Sequence, residues 1–258
     1  MNFNEELADT YDIIYGDKDY KSECNFIEDT FNKYSRKGIK TILDAGCGSG
    51  NHSILLSDKG YNVVGFDLSE MMIQKAEKKY GKIKNLEFHV MDLRTFQFNS
   101  KFDACVCMFA VLGYLTETCD IIKAFKNIRN HLKDDSLFIF DLWNGLAVLR
   151  ILPSLRTKIL NAGKRRIIRI AEPELDAFNH ICKVNYRLFI IENNIIVDEV
   201  KETHVVRYYF PQELKHYLEE SGFEVLKICP FLDLNGGVDE NVWNIAIVAR
   251  AVSGWNEN

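Results

Sequence analysis

Residues 40–67 constrain the fold of this chain more than any other stretch. TILDAG (41–46) is a short apolar run that ends on Asp44 and runs into glycines at 46, 48 and 50; a helical stretch follows at 52–59, and YNVVGFD (61–67) closes on a second acid. Short apolar runs bounded by turn residues read as buried strands, and the stretch between them as a crossover helix. Strand, turn, helix, strand is the repeating unit of a parallel sheet, because parallel neighbours cannot be joined by a tight turn. The alternation continues. Residues 20–36 place Phe26, Ile27, Phe31 and Tyr34 at helical spacing, and further on lie a helix near 69–80, strands at 86–92 and 102–109, a helix near 118–132 and a strand at 136–143. The expected class is α/β: a doubly wound, Rossmann-like seven-stranded sheet with an antiparallel β insertion after the fifth strand.

The rhythm breaks after Asn144. RRIIRIA, HICKVNYRLFIIE and NIIVDEVKETHVVRYYF read as long strands, with Asn193-Asn194 as the hairpin turn between two of them. Helical spacing returns at 212–221, and FEVLKIC and VWNIAIVAR supply two final strands at the sheet edge. The expected organisation is a core of residues 1–144 and 211–251, of which 1–36 form a helical lid, an insertion at 145–210 that shapes an acceptor pocket, and a tail at 252–258.

At 258 residues and 47% hydrophobic, the chain can bury one large core. A net charge of −5 offers no broad basic field to a phosphate backbone, so nucleic acid is disfavoured as a partner. No apolar run approaches the roughly 18 residues of a membrane span, and the acidic start does not resemble a signal peptide; the expectation is a cytoplasmic protein away from the membrane. Seven cysteines without C-x-x-C spacing and six scattered histidines suggest neither disulfides nor a metal, and none is assigned.

The phrase Asp44-Ala45-Gly46-Cys47-Gly48-Ser49-Gly50 sits where a strand hands over to a helix. Glycines let the backbone turn tightly and let a ligand approach, and the following helix presents free N–H groups. A dinucleotide site shows G-x-G-x-x-G; here the spacing is G-x-G-x-G, preceded by an acid that is poorly placed beside a diphosphate and well placed to receive an ammonium. Asp67 closes the second strand where a carboxylate accepts from both ribose hydroxyls. Asp92 closes the third between Met91 and Leu93, where an adenine amine can donate and apolar neighbours flank the ring. Three acids at one carboxyl edge make one ligand site, and its charge pattern fits S-adenosylmethionine, with S-adenosylhomocysteine as product.

ILDAGCGSG, GFDLSEMMIQKA, MDLRTF and FDACVCMFAVLGYL resemble the successive motifs of class I S-adenosylmethionine-dependent methyltransferases. ADTYDIIYGDKDY and MFAVLGYL are similar, more narrowly, to the small-molecule N-methyltransferases that dimethylate nucleotide-linked deoxyamino sugars. The resemblance implies that Gly46 and its neighbours Asp44, Ala45, Gly48 and Gly50 hold the methionine part, Asp67 and Leu68 the ribose, and Met91, Asp92 and Leu93 the adenine. It places Met108 against the cofactor at the end of the fourth strand. An amino-terminal helix would fold over the site and bring Tyr11 and Tyr15 to the reacting methyl, Tyr15 positioning it.

Other residues carry two readings. Ser69 reads as a helix cap, with Met72 both core filler and cofactor neighbour. Cys47 has no His or Lys beside it in sequence to activate a thiol, and His52 reads either as a plain helix residue or as a ligand contact. Tyr11, Tyr15 and Tyr20 form either an aromatic stripe or part of the lid. Trp143 and Arg207 are candidate acceptor-binding residues, with a buried core position and an exposed strand charge as the alternatives. Methyl transfer rests on proximity and alignment, so no single indispensable catalytic group is expected. After the fourth strand there is no Asn/Asp-Pro-Pro-aromatic turn, which disfavours exocyclic base amines as acceptors. The best-fitting reaction is N-methylation of a small-molecule amine, with O- or C-methylation as alternative; a homodimer is compatible. A non-catalytic cofactor-binding protein and a nicotinamide dehydrogenase are the readings from other classes.

Overall fold

The computed structural model describes residues 14, 16, 18–163 and 165–255. Helix α1 (Tyr20–Tyr34) leads into β1 (Thr41–Ala45), α2 (Asn51–Asp58), β2 (Asn62–Asp67), α3 (Glu70–Tyr80), β3 (Leu86–Val90) and β4 (Phe102–Cys107). A 3₁₀ turn (Val111–Tyr114), α4 (Thr118–Asn130), β5 (Leu132–Trp143) and α5 (Gly145–Ile151) follow. Strands β6 (Arg156–Ala162), β7 (Arg165–Asp176), β8 (Ile181–Glu192) and β9 (Ile195–Arg207) precede α6 (Pro211–Glu220), β10 (Phe223–Pro230) and β11 (Asn244–Ala251).

The main sheet has seven strands in the order β10-β11-β5-β4-β1-β2-β3. β1 to β5 are mutually parallel, and β11 runs antiparallel to both β5 and β10. The Rossmann-like reading therefore holds, with one refinement: of the two final strands β11 lies inside the sheet and β10 forms one edge, β3 being the other. Alternation along β5 sends Phe138, Phe140 and Leu142 to one face with α4 and α6, while Leu137 and Ile139 face α1, α2 and α3. Parallel strands covered by helices on both faces are apolar on both sides, and β1, β4 and β5 show that composition.

The four strands β6 to β9 form a separate antiparallel meander. Asn193 and Asn194 turn the β8–β9 hairpin with φ of 51° and 63°, the left-handed pair that a two-residue hairpin demands. The runs at 165–207 foretold three of these strands. β6 and α5 went unforeseen, β6 because RTKILNA sets Ile159 beside Leu160 among polar residues and does not alternate.

Among the described residues no helix is long and apolar enough to cross a membrane. Phe138 is fully buried and its ring meets Phe125, Phe140 and Phe223 at centroid distances of 4.7–5.9 Å. Phe138→Ala is expected to lower stability by about 3–5 kcal/mol, read from urea unfolding followed by circular dichroism.

Candidate active site

The carboxyl ends of β1, β2, β3 and β4 converge on a cavity of about 400 Å³, within the roughly 300–1,000 Å³ of small-molecule sites. Its floor is the loop after β1. Gly46 and Cys47 donate their N–H groups to the Phe66 carbonyl at 2.8 and 3.0 Å, tying the loop to the end of β2. Gly46 has φ of +76°, and a Cβ there would lie 2.5 Å from Val111 Cγ1, so the loop after β4 packs on it only because it is glycine. Gly48 faces open space in the cavity wall.

Asp67 receives the Gly48 N–H on Oδ2 at 3.0 Å and the Ser69 N–H on Oδ1 at 2.8 Å. Burial pushes its carboxyl above the usual range, against the pull of these donors. Each oxygen keeps a further lone pair, the geometry a vicinal diol requires. Leu68, Met72, Met91 and Leu93 add apolar surface around it. Asp92 also lines the cavity, but Arg94 grips it: Nε donates to Oδ1 at 2.9 Å and Nη2 to Oδ2 at 2.5 Å. These bonds hold Asp92 below its ordinary pKa, and Arg94 also reaches Asp120 at 2.8 Å.

The wall from α1 and α2 carries a buried polar chain. His52 Nε2 lies 2.6 Å from Glu23 Oε2, and Lys18 pairs with the other Glu23 oxygen. Burial raises the Glu23 carboxyl, but His52 and Lys18 outweigh it and leave it below its ordinary value. The Lys18 ammonium also stands 4.9 Å from the centre of the Tyr20 ring and 4.6 Å from that of Phe109, and both rings line the cavity.

After β4 the backbone turns through two left-handed residues, Phe109 (φ 72°) and Ala110 (φ 54°). Such angles are unfavourable for non-glycine residues and persist where surroundings impose them. The buried Asp141, near the end of β5, does so: its Oδ1 accepts the Phe109 N–H at 2.5 Å and its carboxylate the Ala110 N–H at 3.2 Å. Beyond the turn stand Tyr114, Leu115 and Thr116, and from β9 of the small sheet comes His204, whose Nδ1 lies 2.9 Å from the Tyr114 hydroxyl.

Of the residues singled out from sequence, Gly46, Gly48, Asp67, Leu68, Met72, Met91, Asp92, Leu93 and Met108 line this cavity. Asp44, Ala45, Gly50, Trp143 and Arg207 do not. Asp44 is 1% exposed and accepts the Ser53 hydroxyl at 2.5 Å, so it sits beneath the loop and does not line the cavity; burial raises its pKa. Ala45 is core, and Gly50 packs on Phe88. Trp143 packs edge-on to Trp243 and against Ala171, Cys182 and Val184, where the two sheets meet. Arg207 is buried, ion-paired with Glu213, and donates to the Thr116 carbonyl at 3.1 Å and to Thr118 Oγ1 at 3.0 Å; its charge is consumed inside the fold. Tyr11 and Tyr15 lie outside the described residues. Cys47 reaches the cavity, yet burial pushes its thiol well up, the opposite of a nucleophile. Sequence reading missed Arg94, Phe109, Tyr114, Asp141 and His204; of these only Arg94 had a local cue, lying two residues from Asp92. Among the described residues no group of three or more His, Cys, Asp or Glu side chains is arranged to hold a metal ion.

Residues 42–135 match the methyltransferase domain family. A putative methyltransferase of Bacillus subtilis, YqeM, is 27% identical over 223 residues, 86% of this chain and 87% of the relative. The dTDP-3-amino-3,4,6-trideoxy-α-D-glucopyranose N,N-dimethyltransferase of Streptomyces venezuelae is 30% identical over 138 residues, 53% of this chain and 56% of that enzyme, so the likeness spans only about half of each. Among solved structures, an S-adenosylmethionine-dependent methyltransferase from Clostridium acetobutylicum superposes with a TM-score of 0.82 at 24% identity, covering 96% of this chain and 98% of the other; that likeness concerns the fold.

Two outcomes test the site. Asp67→Ala is expected to weaken S-adenosylhomocysteine binding by about 1–3 kcal/mol in calorimetry, as loss of two hydroxyl contacts requires; unchanged affinity would remove Asp67 from the site. Burial lifts the Asp141 carboxyl to about 6. The folded state thus holds a proton more tightly than the unfolded state, whose carboxyl titrates near about 3.9. Stability from this group is complete below about pH 4 and is lost as pH rises through 6. The stability difference between wild type and Asp141→Asn should therefore fall by up to roughly 3 kcal/mol from pH 4 to pH 7; a difference independent of pH would show that Asp141 does not titrate there.

Proposed function

We propose that this chain, a member of the class I S-adenosylmethionine-dependent methyltransferases, methylates the nitrogen of a small-molecule amine, with a nucleotide-linked deoxyamino sugar as the acceptor class that fits best. The observation that carries the amine reading is the part of the cavity wall formed by Tyr20 at the start of α1 and Phe109 after β4. Two cavity-lining rings, Tyr20 and Phe109, already hold one ammonium group, that of Lys18, over their faces. Aromatic faces attract cations, and hydroxyl and imidazole groups nearby supply hydrogen-bond acceptors. The Streptomyces relative, whose name gives it an amino sugar as acceptor, supports the same reading.

When bound, S-adenosylmethionine supplies an electrophilic methyl group on a sulfonium. The residues present fit such a cofactor: Asp67 would hold the ribose diol, the Gly46–Gly48 loop the amino acid part, and Leu68, Met91 and Leu93 the faces of the base. The sheet order sets the division of labour. With the nucleoside side over β2 and β3, the acceptor side falls to the loop after β4, where Phe109 and Tyr114 stand beside His204 from β9. What these walls contribute is alignment of the acceptor nitrogen and exclusion of water, the effects on which a displacement at carbon depends most.

The test is a panel of acceptors incubated with isotopically methyl-labelled cofactor and read by mass spectrometry: a dTDP-linked 3-amino-3,4,6-trideoxyglucose, free amino sugars, glycine and sarcosine, and hydroxyl-bearing analogues of each. Label on nitrogen, in one or two copies, is the expected outcome. Label only in the hydroxyl analogues would reassign the enzyme to O-methylation, and cofactor binding with no product from any member would favour a non-catalytic role.

A further inference from the structure

We propose that Arg94, anchored on Asp120, fixes Asp92 as an acceptor-only group and so makes the cavity select an amino-bearing purine over its oxo counterpart. The inference rests on the cofactor reading above and names the positioning residue that sets how strictly the base is read.

The turn after β3 builds the arrangement. The Met91 N–H donates to the Asp67 carbonyl at 2.9 Å, so the chain stays zipped to β2 one residue beyond the strand. It then folds back on itself, and the Thr95 and Phe96 N–H groups donate to the Asp92 carbonyl at 3.0 and 2.9 Å. Phe96 is 2% exposed, its ring meets that of Phe66 at 4.6 Å, and Asn127 of α4 donates to its carbonyl at 3.1 Å. These contacts hold the turn between β2 and α4.

Within that turn Arg94 closes on Asp92. Its backbone N–H and its Nε both donate to Oδ1, at 2.8 and 2.9 Å, and Nη2 donates to Oδ2 at 2.5 Å. Nη1 reaches across to Asp120, in the first turn of α4, at 2.8 Å. A guanidinium stays charged and has no lone pair to offer, so each of these bonds runs from arginine to carboxylate. The two-pronged grip fixes the plane of the Asp92 carboxylate as well as its charge. Asp92 accordingly sits below its ordinary pKa, with the Arg94 side-chain bonds as the main cause.

Two donors fill Oδ1, and Oδ2 takes one, which leaves Oδ2 as the oxygen on which a further N–H can land. Asp92, Arg94 and Asp120 all line the cavity, beside Met91 and Leu93. What such a group reads is the direction of a hydrogen bond. An exocyclic amine donates to it, whereas a carbonyl oxygen in the same place sets two acceptors against each other and leaves both unpaired, which costs more than a missing contact. Without the Arg94 fork, Asp92 is free to turn its oxygens away from an oxo base and let water bridge the two. Arg94 removes that freedom, and Asp120 removes it from Arg94 by holding the far side of the guanidinium.

S-adenosylhomocysteine and its oxo analogue S-inosylhomocysteine, each titrated into the full-length protein by calorimetry, test this without an acceptor or turnover. Wild type is expected to bind the amino base about 10–100-fold more tightly, the range of one hydrogen bond to a charged group. Arg94→Ala should bring the two affinities close together, and so should Arg94→Lys, which keeps the charge and loses the fork. In Asp92→Asn the amide oxygen turns to the Arg94 N–H groups and an N–H stands where Oδ2 stood, so the preference should reverse toward the oxo base. An Arg94→Ala protein that binds both ligands more weakly by the same factor would make Arg94 a structural residue and overturn the proposal. A full wild-type ratio in Arg94→Lys would overturn it as well, because charge alone would then suffice. Equal affinities in wild type, the oxo group being met by a second N–H of Arg94, would also overturn it while leaving the cofactor reading intact. Wild type that binds neither ligand would overturn the cofactor reading itself, and this inference with it.

Discussion

The position of β1 between β2 and β4 governs everything else in this molecule. A parallel neighbour can be reached only through a crossover connection, and the chain leaves β1 in one direction to build β2 and β3, then returns past it to build β4 and β5. Loops on the two sides of β1 therefore diverge at the carboxyl edge, and a crevice opens between them. The glycine loop, Asp67, the segment after β3 and the turn after β4 face one another across it because the sheet order leaves them no other neighbour.

Burying carboxylates at such an edge is costly, since the charged form loses its hydration. Each of the three acids that shape the edge, Asp44 and Asp141 buried and Asp67 half-buried, is matched to donors. Asp44 receives the Ser53 hydroxyl, Asp67 two backbone N–H groups, and Asp141 the N–H groups of Phe109 and Ala110. The last arrangement uses an acid to hold a backbone turn that two non-glycine residues would otherwise avoid, and the turn in turn presents the Phe109 ring to the cavity. Asp44 and Asp141 thus shape the site without facing it.

The small sheet is tied to the main one at defined points. Gly113 admits β9, Arg207 and Tyr209 bind the loop after the 3₁₀ turn, and Asn144 pairs with Tyr209 as an isolated parallel bridge. An insertion anchored in this way can vary its outer strands while keeping one face aligned with the cavity. His204 is the residue this docking delivers.

Much of this was legible in the sequence, and the boundary has a physical cause. Periodicity is local, so the alternation of strands and helices, the Asn193-Asn194 hairpin and the acids after β2 and β3 could be read from neighbouring residues alone. The glycine spacing likewise named the loop, since backbone conformation is set within a few residues. What the sequence could not decide is which side of a strand end faces the crevice: Asp44 reads as a cofactor contact, and the packed sheet sets its side chain beneath the loop on Ser53. Nor could it show that Arg207 spends its charge on Glu213, that the two left-handed residues after β4 are held by Asp141, or that Tyr114 meets His204. Those depend on contacts between residues 6 to 91 positions apart in the chain, and such pairings leave no local mark because only the packed sheet brings their partners within hydrogen-bond reach.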